Sequence, residues 1–191
     1  MRFFLRLGLQ RALPLARGID ALNERIGRAV IWLVLVVALV SAGNALLRYG
    51  FNSSSNAWLE IQWYLFGLIF LLGAGYTFKH NGHVRIDVLY GRFSPRTKAW
   101  VDLLGGLFFL LPASGLIFWL GWDFFQTSLA IDETSPDAGG LLRWPIKFAI
   151  PLGFALLWLQ GVSEIIKRVG MLTGQLELPE ETGEAHQEER V

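Results

Sequence analysis

Residues 29–47, AVIWLVLVVALVSAGNALL, run for nineteen positions without a charged side chain. At 1.5 Å of rise per residue, such a run makes roughly 28 Å of α-helix, close to the roughly 30 Å hydrocarbon core of a bilayer. Backbone amides find no water in that core, so an apolar segment of this length has to satisfy its own hydrogen bonds as a helix. Three more runs repeat the pattern. Residues 56–78 carry one charge, Glu60; residues 100–122 hold Asp102 near the start and Pro112 near the middle; residues 146–162 contain Lys147, Pro151 and Gly153. Proline inside an aqueous helix argues for a break, but in a membrane bundle neighbouring groups satisfy the freed carbonyl. The reading is an all-α integral membrane protein with four transmembrane helices. A chain that is 53% hydrophobic and only 17% charged lies on the membrane side of the globular norm, in agreement.

Twenty-eight residues precede the first run, and its apolar stretch exceeds the usual 7–15 residues of a signal peptide, so an uncleaved span is expected. Fourteen of the seventeen basic residues fall in the N-terminal segment, the connection between runs two and three, and the C-terminal tail; only Arg48, Arg143 and Lys147 lie on the other side. The positive-inside rule then puts both termini and the second connection in the cytoplasm of a multi-pass protein. Three regions follow: a basic amphipathic segment over 1–28, a four-helix domain over 29–168 and an acidic tail over 169–191 that reads as disordered. Pro14 is expected to divide the first segment into two short helices, lying on the anionic leaflet or against a partner subunit. Gly67, Gly73, Ala74 and Gly75 would let the second span approach a neighbour closely.

Polar residues inside or beside spans need an explanation, because the bilayer penalises them. Glu60 lies about one turn inside the outer end of the second span, among Trp58, Trp63 and Tyr64, which read as an aromatic belt. Arg48, at the outer end of the first span, is its expected partner, with a contact to another protein or an ion as alternatives. The segment HNGHVRID places His80, His83, Arg85 and Asp87 between spans two and three. Two imidazoles do not fill a structural zinc site, and Asn81-Gly82 favours a turn that separates them. Arg85 and Asp87 are read instead as anchors of a short interfacial helix, VRIDVLYGRF, and Asp102 as a partner for Arg85, Arg96 or Lys98. The chain has no cysteine, which excludes disulfides, thiolate metal sites and thiol nucleophiles. No histidine lies in a span, which excludes a haem pair within the bundle. Catalysis, a resident cofactor and a nucleic-acid partner are not expected. The competing reading is a small membrane enzyme or metal-dependent factor that uses His80, His83 and Asp87.

Glu60 with the following WYLFGLIFLLGAGYTFKHNGHVRIDVLY, its HVRID core at 83–87, and an SP…WP…IPLGFALLWLQ pattern over 135–160 together resemble a known family. This is the small membrane subunit (DctQ-type small permease) of tripartite ATP-independent periplasmic, or TRAP, transporters. The resemblance covers roughly residues 30–168, and the longer basic N-terminal segment and the Glu-rich tail lie outside it. It implies a subunit in the bacterial inner membrane. It also implies a large membrane subunit that imports an organic anion, often a carboxylate, on a cation gradient, usually sodium. An extracytoplasmic substrate-binding protein would deliver the cargo, and this chain would be a non-catalytic scaffold. Arg48, Glu60, Trp63, His83, Arg85, Asp87, Asp102, Ser135 and Pro136 then become structural or subunit-interface candidates. The outward connection over 123–143 becomes the candidate contact for the binding protein.

Overall fold

The computed structural model describes residues 2–52, 55–83 and 90–177, with side chains described from Leu9 onward apart from Arg11. Among the described residues the chain forms α1 (Arg2–Phe51), α2 (Asn56–Lys79), α3 (Pro95–Gly105), a π-helical turn (Gly106–Leu110), α4 (Leu111–Ala130) and α5 (Trp144–Leu172). Since α3, the π turn and α4 run on as one rod over Pro95–Ala130, four helices are long and apolar enough to cross a membrane. The fold is an all-α membrane bundle.

α1 is one helix through Pro14, not two. Its 50 residues extend about 75 Å, far more than one bilayer crossing requires. The reason is a seam that the proline does not interrupt. Leu9, Ala16, Asn23, Val30, Val37 and Asn44 are all buried, and they recur every seven residues, the period of helices packed side by side. Pro14 costs one backbone hydrogen bond, yet it lies on the exposed side of this seam. The helix therefore continues.

α3 starts where Ser94 accepts a hydrogen bond from the Thr97 amide at 3.3 Å, with Pro95 in the first turn, where a missing N–H costs nothing. The π turn comes immediately before Pro112. A proline ring collides with the carbonyl four residues back, and widening the preceding turn gives the helix a way past it.

α5 is the centre, packing against α1, α2, α3, the π turn and α4. In its most apolar stretch 39% of residues are buried, against 11% in α1, 11% in α2 and 6% in the Pro95–Ala130 rod. Gly153 is where α2 and α5 come closest: a Cβ there would stand 2.6 Å from the Leu71 carbonyl oxygen. Of the small residues expected to matter in α2, Gly75 is packed against Asn23, and Gly67 against Ile146.

The fourth span continues past residue 168 to Leu172, and Thr173–Glu177 follow as a turn, so the expected start of the acidic tail at 169 falls inside a helix. The remainder of that tail, and most of the interfacial helix expected over VRIDVLYGRF, lie outside the described residues.

Candidate functional site

At one end of the bundle, the connection from α4 to α5 folds into a short hairpin held by an antiparallel bridge between Thr134 and Leu142. The Ser135 amide donates to the Leu141 carbonyl at 2.9 Å, and the Arg143 amide to the Glu133 carbonyl at 2.8 Å. Gly139 turns the chain with φ +73°, and Gly140 sits so near Ser135 that a Cβ would meet it at 2.4 Å. The first position favours glycine, and the second has no room for a side chain unless Ser135 moves.

One face of α2 receives this hairpin. Asn56, Glu60 and Tyr64 recur every four residues and so share that face. Asn56 Nδ2 donates to the Ala138 carbonyl at 3.0 Å, and the Tyr64 hydroxyl donates to the Leu142 carbonyl at 2.8 Å. Between them Glu60 is 3% exposed. The Ser135 hydroxyl donates to its Oε1, and the Leu141 amide donates to its Oε2 at 2.6 Å. Arg143 Nη2 lies 3.9 Å from Oε1 and donates to Ser135 Oγ at 3.2 Å, while its guanidinium covers the Trp63 ring at 5.4 Å. Both carboxylate oxygens are thus engaged by one loop. This arrangement can clamp a loop, and it leaves Glu60 poorly suited to carrying an ion. Lower in the hairpin, Lys147 pairs with Glu133, and that hydrogen bond chiefly holds the Glu133 carboxyl below its ordinary 4.5.

Glu60, Trp63 and Ser135 therefore come together, and Pro136 is an exposed residue of the same hairpin. Arg48 does not join them. It is exposed in the last turn of α1, and Arg143 supplies the cation instead.

The opposite end carries a second polar cluster. Asp20, Asn23 and Glu24 line α1, and Gln160, Ser163, Glu164 and Lys167 line α5. Asn23 Nδ2 donates to Gln160 Oε1 at 2.9 Å, and Gln160 Nε2 donates to Asp20 Oδ1 at 2.8 Å. Ser163 Oγ reaches Asp20 Oδ1 at 2.7 Å, and Lys167 Nζ lies 3.2 Å from Oδ2. From α2, Lys79 Nζ and His80 Nε2 meet Glu24 Oε2 at 2.8 and 2.9 Å. His80 is thus committed to α1. His83 is exposed, with its ring 6.2 Å from that of Phe78. Asp102 is bound by the Tyr90 hydroxyl at 2.9 Å and by Arg168 Nη2 at 3.3 Å, in place of the expected Arg96 or Lys98. Arg85 and Asp87 lie outside the described residues.

Sequence reasoning singled out Glu60 and, through the family resemblance, Ser135, but did not pair them; it missed Arg143 as a partner and missed the Asp20–Gln160 cluster altogether. A signal was available for the cluster: polar residues at i, i+3 and i+4 on α1 face polar residues at the same spacing on α5.

The profile of the tripartite ATP-independent periplasmic transporters, DctQ component, matches residues 37–170. A Haemophilus influenzae protein named "Putative TRAP transporter small permease protein" is 31% identical over 108 residues, which cover 56% of this chain and 66% of that protein. No solved structure matches the chain. The matched region runs from the middle of α1 almost to the end of α5 and contains Glu60 with its hairpin, so the chain belongs to the DctQ component family of the tripartite ATP-independent periplasmic transporters.

Proposed function

We propose that this TRAP small subunit is a scaffold without catalysis of its own. It holds the static part of a large membrane subunit that imports an organic anion, a carboxylate, on a sodium gradient. The observation that carries this reading is the distribution of burial. Only 6% of the apolar stretch in the Pro95–Ala130 rod and 11% of that in α1 are covered within the chain, and Trp32, Phe70, Phe109 and Trp119 are among the exposed side chains. Such faces suit lipid and a large apolar partner, since helix association in membranes rests on packing. In this reading the subunit lies in the bacterial inner membrane with both termini in the cytoplasm. The Glu60-clamped hairpin then faces outward, where it helps to dock the substrate-binding protein.

Reconstitution tests this. The chain is co-expressed with a large TRAP membrane subunit, extracted in mild detergent and placed in liposomes with the binding protein and candidate organic acids. Uptake is expected to need all three chains and an inward sodium gradient. Glu60→Gln is expected to lower uptake while the large subunit still co-purifies. Stable isolation of the chain alone with a stoichiometric metal would overturn the reading.

A further inference from the structure

The Pro95–Ala130 rod packs on α5 along a line of small residues. In α4 that line is Ser114, Gly121 and Ser128, all buried and seven positions apart. It meets α5 where a Cβ on Gly121 would stand 2.9 Å from Ile150. Continued toward the start of the rod at the same interval, the line would reach Leu107 and Trp100. Those side chains are 45% and 49% exposed. Their neighbours hold the line instead: Ala99 is 2% exposed, and a Cβ on Gly106 would stand 3.3 Å from Ile165 of α5. The interval from Gly106 to Ser114 is therefore eight where the others are seven, and the π turn over Gly106–Leu110 lies inside it.

One surplus residue in an unbroken α-helix turns everything before it by about 100°. Here that rotation would bring Leu107 to the place of Gly106, where Ile165 leaves no room for it. It would also put Leu103 in the place of Asp102 and carry Asp102 away from Arg168 Nη2, which lies 3.3 Å from it. A π turn closes its hydrogen bond one residue further along, so it takes up the extra residue without the rotation. The consequence reaches beyond the rod. Both Asp102 oxygens lie 2.9 Å from the Tyr90 hydroxyl, and Tyr90 belongs to the connection that enters α3. We infer that the π turn is a register corrector: it stores one residue so that Asp102 stays between Arg168 and Tyr90 and ties the second connection to α5. The packing on either side holds the turn open, and Pro112 only takes advantage of it.

The test changes the length of the rod and reads its register by disulfide formation in the full chain, which has no cysteine of its own. Gly106→Cys with Ile165→Cys reports the present register, in which the two positions are close enough for a disulfide. Leu107→Cys with Ile165→Cys reports the rotated one. Pro112→Ala is expected to keep the first pair crosslinking and the second silent. In that background, deletion of Phe108 is expected to close the turn into ordinary helix, retain the first crosslink and leave the melting temperature unchanged. Insertion of one alanine after Phe108 is expected to abolish the first crosslink and to speed tryptic cleavage after Arg92, in the connection that Tyr90 anchors. An ordinary helix would lose its register in both length variants. A switch to the second pair in Pro112→Ala would give the turn to the proline and overturn the inference. Loss of the first crosslink or of folding on deletion overturns it too, as does an insertion that leaves that crosslink intact.

Discussion

The carboxylate of Glu60 ends up nearly enclosed because one short hairpin supplies a donor to each of its oxygens. Replacing it tests the clamp. In Glu60→Gln the amide nitrogen cannot accept from Ser135 or Leu141, so one charge-assisted bond is lost outright. Opening of the hairpin, read by limited proteolysis or hydrogen exchange over 131–143, is expected to rise on the order of tenfold with helix content unchanged. Arg48→Ala is expected to leave it as it was. Glu133 adds a pH dependence. Lys147 holds its carboxyl below the ordinary 4.5, so the pairing stabilises the hairpin fully above that value and is lost as pH falls through the lower folded-state value. Hydrogen exchange in the hairpin should therefore quicken as pH drops below 4.5 once the intrinsic rate is corrected for, and Glu133→Gln should shrink that step, leaving whatever part comes from protonation of Glu60. Glu60 itself was legible in the sequence, as a charge in an apolar run. Its partner was not, because Ser135 lies 75 positions away and Arg48 looked nearer only along the chain.

Among the elements, the four spans were legible because apolar length is a property of each segment alone. The continuity of α1 was not. Pro14 is a local breaker, and the seam that overrides it through Ala16 and Asn23 appears only once α5 is in place to bury it. The Asp20–Gln160 cluster escaped notice for the same reason: each member is an ordinary polar residue until two helices meet. Gln160→Leu would leave the Asn23 amide only its longer bonds to the Ile19 and Leu156 carbonyls and remove one Asp20 contact, at a cost of about 1–3 kcal/mol. For a chain of this size that is a fall of roughly 2–4 °C per kcal/mol in melting temperature. Close approach between helices gives a sharper contrast. Gly153→Ala would drive a methyl into the Leu71 carbonyl and force α2 from α5, costing about 1–3 kcal/mol. Gly105→Ala, with nothing within 4 Å of the new carbon, should be neutral or gain up to about 1 kcal/mol from helix propensity. Thermal unfolding in one detergent, the two variants side by side, checks both signs.

On the scale of the whole molecule, the two polar clusters sit at opposite ends of the bundle, and their surroundings carry opposite charge habits. The hairpin end has Arg48, Arg143 and Lys147 as its basic residues, and the last two are paired with Glu60 and Glu133. Among the described residues the other end carries Arg17, Arg25, Arg28, Lys79, Arg92, Arg96, Lys98, Lys167 and Arg168, and the proposed orientation, hairpin outward, rests on applying the positive-inside rule to that division. The absence of cysteine makes this directly measurable, since any introduced thiol is a unique reporter. Gln10→Cys in α1, Thr97→Cys in the second connection and Ala138→Cys at the hairpin tip are all exposed positions with no side-chain role in either cluster. In intact spheroplasts a membrane-impermeant maleimide is expected to label Ala138→Cys and to spare the other two until the membrane is permeabilised. The reverse pattern would turn the bundle over, place the Glu60 hairpin in the cytoplasm and remove it from contact with an extracytoplasmic binding protein. Labelling of all three before permeabilisation would mean leaky vesicles, so a cytoplasmic enzyme is assayed in the same sample to hold that outcome apart.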